Sequence, residues 1–183
     1  MILGDENLVK VLKENGVAVM PTDTLYGIVG KALDVSVVDR IYELRKRKPS
    51  KPCIIIMGDI SELEKFGIGL TLEQKKTIKE FTEPTSFILD CPEEKFSYLH
   101  RGMKTLAFRL PMARGLQDLL KQTGPLIAPS ANLEGLPPAK NIAEAKKYFG
   151  DGVDLYIDGG EIIGKASKVV QLHKDGSQSI LRA

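Results

Sequence analysis

The chain contains no tryptophan, and its 183 residues include only two cysteines, Cys53 and Cys91, and two histidines, His100 and His173. Two thiols without a Cys-x-x-Cys pair exclude a disulfide framework. Two histidines with no thiol or carboxylate cluster at ligand spacing exclude a zinc site. Aromatic residues make up 6% of the chain, which leaves little for stacking against the bases of single-stranded nucleic acid. Neither sign of charge dominates: 26 Lys and Arg oppose 24 Asp and Glu, for a net charge of +2. Bulk attraction to nucleic acid is therefore excluded, and any positive field has to be local. No stretch approaches the roughly 20 apolar residues of a membrane span. Met1-Ile2-Leu3-Gly4-Asp5-Glu6 lacks the basic start and apolar run of a secretory signal. The expectation is a reduced, cytoplasmic protein with no membrane partner. Internal repeats, low-complexity tracts and long linkers are also missing, so residues 1–183 are expected to form one domain. A Ser-His-Asp hydrolase lacks support, since no Gly-x-Ser-x-Gly elbow occurs.

What is present is an alternation of helix and strand periods. Leu8, Val9, Val11 and Leu12 predict a helix that stops at Asn15-Gly16. Val17–Met20 predicts a buried strand. Ser36-Val37-Val38-Asp39 reads as a capping box opening a helix through Leu44. Cys53–Met57 is rich in isoleucine and predicts a central strand. Thr71-Leu72-Glu73-Gln74 is a second capping box, for a helix to about Phe81. Strands follow at Ser86–Leu89 and Leu106–Leu110, a helix at Ala113–Gln122 and a strand at Leu126–Ala128. Asn141 to Glu144 opens a helix ending near Gly150, and Leu155–Ile157, Val169–Leu172 and Ser179–Leu181 predict closing strands. This is an α/β chain with a mixed sheet. The last strands have no helices between them, which excludes a purely parallel sheet.

Chemistry-bearing residues concentrate in one arc. Pro21-Thr22-Asp23-Thr24-Leu25-Tyr26-Gly27 follows a buried strand, at the carboxyl end where α/β sheets gather ligands. Arg45-Lys46-Arg47-Lys48-Pro49-Ser50-Lys51 places five cations in seven residues with no acid among them. On the preceding helix Val37, Val38, Ile41 and Leu44 form the buried stripe. At about 100° per residue Lys46 then faces solvent, while Arg45 and Arg47 flank the stripe and can reach over the sheet. Arginine grips phosphate with a two-pronged fork, so the arc predicts a small, phosphate-bearing ligand. A second polar loop, Ala128-Pro129-Ser130-Ala131-Asn132-Leu133-Glu134-Gly135-Leu136-Pro137-Pro138-Ala139, also follows an apolar strand, and its prolines stiffen it. Gly159-Gly160-Glu161-Ile162-Ile163-Gly164-Lys165-Ala166 imitates a phosphate-binding loop. It lacks the hydroxyl after its lysine and runs toward a strand where such a loop needs a helix.

Together with Ala107-Phe108-Arg109-Leu110-Pro111, these segments resemble the YrdC-type threonylcarbamoyl-adenylate synthases in order and spacing, over nearly the whole chain. The resemblance implies a YrdC/RibB-like twisted mixed α/β sheet, with helices packed around it and a large, positively lined concave cavity, in the minimal single-domain form. It implies a nucleotidyltransferase that condenses L-threonine, bicarbonate or CO2, and ATP with Mg2+ into threonylcarbamoyl-AMP and pyrophosphate. A partner machinery then moves the threonylcarbamoyl group to the adenosine beside the anticodon of tRNA. By motif, Arg45, Arg47, Lys51, Thr105, Asn132 and Arg182 are expected at ATP, and Thr24, Arg109, Ser130 and Ser167 at threonine; no side chain is expected to act as a covalent catalyst. The chain departs from the family pattern at several positions. Arg45 stands where a lysine is usual, Ile56 where many relatives have histidine, and Glu134 where serine follows Pro-Ser-Ala-Asn-Leu. Phe81-Thr82-Glu83-Pro84 replaces a Trp-Pro-Gly-Pro turn, and Lys168 replaces threonine. A competing reading of the same basic arc is an RNA-binding module, for tRNA or double-stranded RNA, that performs no catalysis. A carbamoyl-transfer enzyme acting on another acceptor is a further alternative, disfavoured because no residues remain for the extra domain it would carry.

Overall fold

The computed structural model describes residues 5–183; Met1 to Gly4, part of the segment read above for a secretory signal, lie outside the described residues. Among the described residues six α-helices and nine strands alternate. They are α1 (Glu6–Lys13), β1 (Ala18–Pro21), β2 (Tyr26–Lys31), α2 (Val35–Leu44), β3 (Ile54–Ile56), α3 (Leu72–Glu80), β4 (Thr85–Asp90), α4 (Ser97–His100), β5 (Thr105–Arg109), α5 (Arg114–Thr123), β6 (Leu126–Ile127), α6 (Ile142–Phe149), β7 (Leu155–Tyr156), β8 (Lys168–Leu172) and β9 (Gln178–Arg182). All nine strands join one mixed sheet in the order β7-β1-β2-β6-β3-β5-β4-β8-β9. The pairs β1/β7, β3/β5 and β4/β8 are parallel and the others antiparallel. Among the described residues no helix is long and apolar enough to cross a membrane.

Side-chain alternation along the strands sorts the core into two layers. Ala18, Met20, Val29, Ile56 and Leu126 face α1 and α5, where Leu8, Leu12, Leu116, Leu119 and Leu120 cover them. Val19, Ile28, Ile55, Phe87 and Phe108 face the other way, against α2, α6 and the 3₁₀ turn Ile60–Phe66. Ile54 pairs with Ala107 and Ile56 with Arg109, so these four share the α1/α5 face. The α1/α5 layer covers β1, β2, β6 and β3 and leaves β5, β4 and β8 bare on that side. That uncovered stretch of sheet is where the site forms.

Three expectations are corrected. The second helix is capped by Asp34, not by a Ser36 box: the Asp34 carboxylate accepts the Val37 N–H at 3.0 Å and the Ser36 hydroxyl at 2.6 Å. Its buried stripe includes Tyr42, with Leu44 only partly covered. Strand β2 was not expected, because Gly27 and Gly30 dilute its apolar run. Gly30 is required there, since a Cβ would lie 2.4 Å from Val37 Cγ1, so its absence lets α2 pack down on β2. The Thr71 and Asn141 caps form as read, at 3.1 and 2.9 Å. The segment after Gly164-Lys165 enters β8 and not a helix.

Candidate functional site

Several loops and five strands of the sheet floor converge on an open cavity of about 510 Å3. Its floor is the bare sheet: Thr105, Ala107 and Arg109 from β5, Ile88 from β4, Ile54 from β3, Val169 from β8 and Arg182 from β9. One wall is the Thr22–Gly27 turn. The Thr22 hydroxyl donates to Leu25 O at 2.7 Å and lies 3.2 Å from the Thr24 hydroxyl, which fixes the turn from within. The adjoining wall is the 129–138 loop. It is stitched to the start of β2 by Ile28 N–H to Pro129 O at 3.0 Å and Ala131 N–H to Tyr26 O at 2.8 Å. Two segments more than 100 residues apart in sequence thus present Thr24 and Ser130 to one space.

The electrostatics are those of an anion receptor. Arg45, Arg47, Arg109 and Arg182 all line the cavity. Each guanidinium is held from behind by acceptors. Arg45 donates from Nε to Ser130 O at 2.9 Å and from Nη2 to Asn132 Oδ1 at 3.0 Å. Arg47 donates to the carbonyls of Lys51 and Pro52 at 3.0 and 2.9 Å, and Arg182 forks onto Ser167 O at 3.0 and 2.8 Å. Arg109 Nη2 meets Asp23 Oδ1 at 2.9 Å, and the two side chains are only 4% and 5% exposed. The Asp23 oxygens and Arg109 Nε nevertheless lack a well-aligned hydrogen bond. In none of the four arginines is Nη1 engaged by a described residue. Burial pushes the Arg45 and Arg109 pKa values down, and for Arg109 the charge of Asp23 partly offsets it. Cations already held from one side are pre-set to receive phosphate or carboxylate oxygens on their unengaged nitrogens.

Hydroxyls complete the lining. Ser167, at the end of the 157–167 loop, shares a buried 2.9 Å hydrogen bond with Ser86. That loop is pinned by Tyr26, whose hydroxyl donates to Gly160 O and accepts from Gly159 N–H, both at 2.8 Å. Burial raises the Tyr26 pKa, keeping it a neutral donor.

Of the ten residues expected at ligands, eight line this cavity: Thr24, Arg45, Arg47, Thr105, Arg109, Ser130, Ser167 and Arg182. Two do not. Lys51 Nζ turns outward to Glu134 Oε1 at 2.6 Å and is 54% exposed, because Glu134 gathers both it and the Lys48 N–H. Asn132 is buried behind Arg45. Ile56 is fully buried under α5 and cannot reach the cavity. Sequence reasoning left Asp23, Ser86 and Tyr26 without roles. The one available signal was a serine inside the otherwise apolar β4 run. Among the described residues no group of three or more His, Cys, Asp or Glu could hold a metal ion.

Comparison with known proteins follows this geometry closely. A model of the Sua5/YciO/YrdC family, which bears the description "telomere recombination", matches residues 10–183. A threonylcarbamoyl-AMP synthase of Bacillus subtilis (strain 168) is 36% identical over 172 residues, 90% of this chain and 49% of that protein. The crystal structure of P. abyssi Sua5 complexed with L-threonine superposes with a TM-score of 0.85 at 29% identity, covering 96% of this chain and 52% of that one. E. coli YciO superposes with a TM-score of 0.82 at 26% identity, covering 96% and 86%. The chain spans about half the length of the first curated relatives it matches.

Proposed function

Because the chain belongs to the Sua5/YciO/YrdC family, we propose that it condenses L-threonine, CO2 or bicarbonate, and ATP into threonylcarbamoyl-AMP, releasing pyrophosphate. The observation that carries this reading is the set of four rear-anchored arginines around one cavity that also presents Thr24, Ser130 and Ser167. The cavity is large enough for a nucleotide beside an amino acid. The reading is supported by the relatives' names and by the L-threonine complex of P. abyssi Sua5.

In this mechanism the threonine amine adds to the carbon of CO2 and loses a proton, giving a carbamate. A carbamate oxygen then attacks the α-phosphorus, the bond to the bridging oxygen breaks, and pyrophosphate leaves with the electron pair. No covalent enzyme intermediate is needed. Arg109 faces the threonine carboxylate, with Thr24, Ser130 and Ser167 orienting its other polar atoms. Arg45 and Arg47 offset charge on the phosphates, with Arg182 and Thr105 on the nucleotide side. Mg2+ enters as part of the nucleotide substrate. Holding the reactants in line can contribute up to about 7–11 kcal/mol to the barrier reduction. The product then serves a machinery that modifies the adenosine beside the tRNA anticodon.

The test is pyrophosphate release from ATP and bicarbonate, with and without L-threonine. Threonine-dependent release is expected, and Arg47→Ala should reduce kcat/KM roughly 10- to 100-fold, the loss of a charged hydrogen-bond donor. The absence of both pyrophosphate release and ATP binding by calorimetry would overturn the reading. The same cations would then be tested on double-stranded RNA, where backbone binding shows a steep salt dependence.

A further inference from the structure

The 129–138 loop holds an asparagine whose hydrogen-bonding capacity is completely used. An amide side chain offers two acceptor lone pairs and two N–H donors. Asn132 Oδ1 accepts from Arg45 Nη2 at 3.0 Å and from the Ser130 hydroxyl at 2.7 Å. Asn132 Nδ2 donates to Leu133 O at 2.8 Å and Leu136 O at 2.9 Å. The orientation of the amide is unambiguous: turned over, it would set N–H groups against a guanidinium and an oxygen against two carbonyls. Asn132 is 6% exposed and is not part of the cavity lining.

The partners of Asn132 are themselves at the cavity. Arg45 is 2% exposed, and the same loop grips it at three points: Ser130 O on Nε, Asn132 Oδ1 on Nη2, and the Glu134 N–H on the Arg45 carbonyl at 2.9 Å. Arg45 Nη1 is left buried with no partner, an unsatisfied donor beside the site. A lysine has no planar fork and could not answer Ser130 O and Asn132 Oδ1 in this arrangement while keeping a third donor in a set direction.

We propose that Asn132 is a positioning residue that acts through Arg45 and Ser130 and makes no contact of its own with a ligand. Its amide turns the loop back on itself through two carbonyls. It also aligns the guanidinium so that Nη1 is the single edge left for an anionic oxygen, and it directs the Ser130 hydroxyl hydrogen inward to Oδ1, leaving that oxygen's lone pairs as acceptors. This rests on the ATP-dependent reading above for the identity of the anion, but not for the coupling between the two side chains.

The experiment is a double-mutant cycle of Asn132→Ala and Arg45→Ala, read as the dissociation constant of ATP by calorimetry. Asn132→Ala alone should weaken binding about tenfold, the scale of losing a hydrogen bond to a charged group. In the Arg45→Ala background the same change should cost clearly less than about tenfold, because one of the two residues it acts through is gone and only the Ser130 contact remains. Equal losses in both backgrounds would overturn the proposal. If Asn132→Ala does not fold, a crystal structure of the unaltered protein with ATP decides the matter. The proposal requires Nδ2 to stay on the carbonyls of Leu133 and Leu136, and a ligand atom within hydrogen-bonding distance of Asn132 would overturn it. Should the unaltered protein bind no ATP, the functional reading fails on its own, and the cycle is read on thermal unfolding instead: non-additive losses uphold the coupling and additive losses overturn it.

Discussion

Single residues at this site are legible as a set, not as individual contacts. The basic arc announced an anion site, and four of the expected cations do surround the cavity. Lys51 could not be placed from sequence because its partner, Glu134, lies 83 residues away. Two of the departures from the family pattern prove to be paired with charges in space. Glu134 holds Lys51 and the Lys48 N–H, and Lys168 holds Glu83 from the altered Phe81–Pro84 turn. Glu134 and Lys168 thus each meet an opposite charge, whereas Arg45, the third charged departure, is held at the cavity by Ser130 O and Asn132 Oδ1. The Lys51 ammonium first, and then the Lys48 N–H, hold the Glu134 carboxyl far below its ordinary value of 4.5, at about 2. For a depressed carboxyl the stabilisation is complete above the unfolded pKa and disappears as pH falls through the folded one. The clasp between the basic loop and the 129–138 loop should therefore persist through pH 4 and open only toward pH 2. A carboxyl-carbon NMR titration checks this. A Glu134 midpoint near 4.5 would mean that the clasp does not form in solution.

Among the elements, the strongly patterned ones were readable and the glycine-bearing ones were not. Helices α1 and α5 announce themselves by apolar spacing, and α3 and α6 by the capping side chains Thr71 and Asn141. Strand β2 and the 3₁₀ turn Ile60–Phe66 do not: the first needs glycines so that a helix can approach, and the second is too short to show a period. The 157–167 loop makes the same point at the site. At Gly164 a Cβ would lie 1.9 Å from the Thr24 carbonyl oxygen, so this glycine lets the loop lie directly on the turn that carries Thr24. Backbone cannot yield as a side-chain tip can. Gly164→Ala should cost about 1–3 kcal/mol by urea denaturation, as overpacking does. It should also weaken threonine binding, because Thr24 moves with the displaced turn. Gly69→Ala is the control: nothing lies within 4 Å of its added carbon, and it should stay within about 0.5 kcal/mol of the parent. Equal stability of the two variants would show that the loop does not rest on Thr24.

Across the whole molecule, stability and function are distributed unequally along the sheet. Strands β1, β2, β6 and β3 are covered on both faces, whereas all five residues of β9 are exposed at the sheet edge. Backbone hydrogen bonds at such an edge open with little free energy, while those of a covered strand require nearly global unfolding. Yet β9 delivers Arg182, which forks onto Ser167 O and lines the cavity. The receptors on β5 and the loops are thus completed by a cation on the least protected strand. A ligand that spans the cavity has to hold that strand in place. In amide hydrogen exchange, Ile55 and Phe108 should exchange only with global opening, and Gln178–Arg182 much faster. Saturating ATP and L-threonine should slow exchange across β9 in particular, by more than across the solvent-facing helix α3, which touches no part of the cavity. Arg182→Ala should abolish that selective slowing while leaving the fast exchange of the unliganded edge unchanged. Protection that rises uniformly over β9 and α3 would mean that the ligand stabilises the fold as a whole, with no closing role for the edge strand.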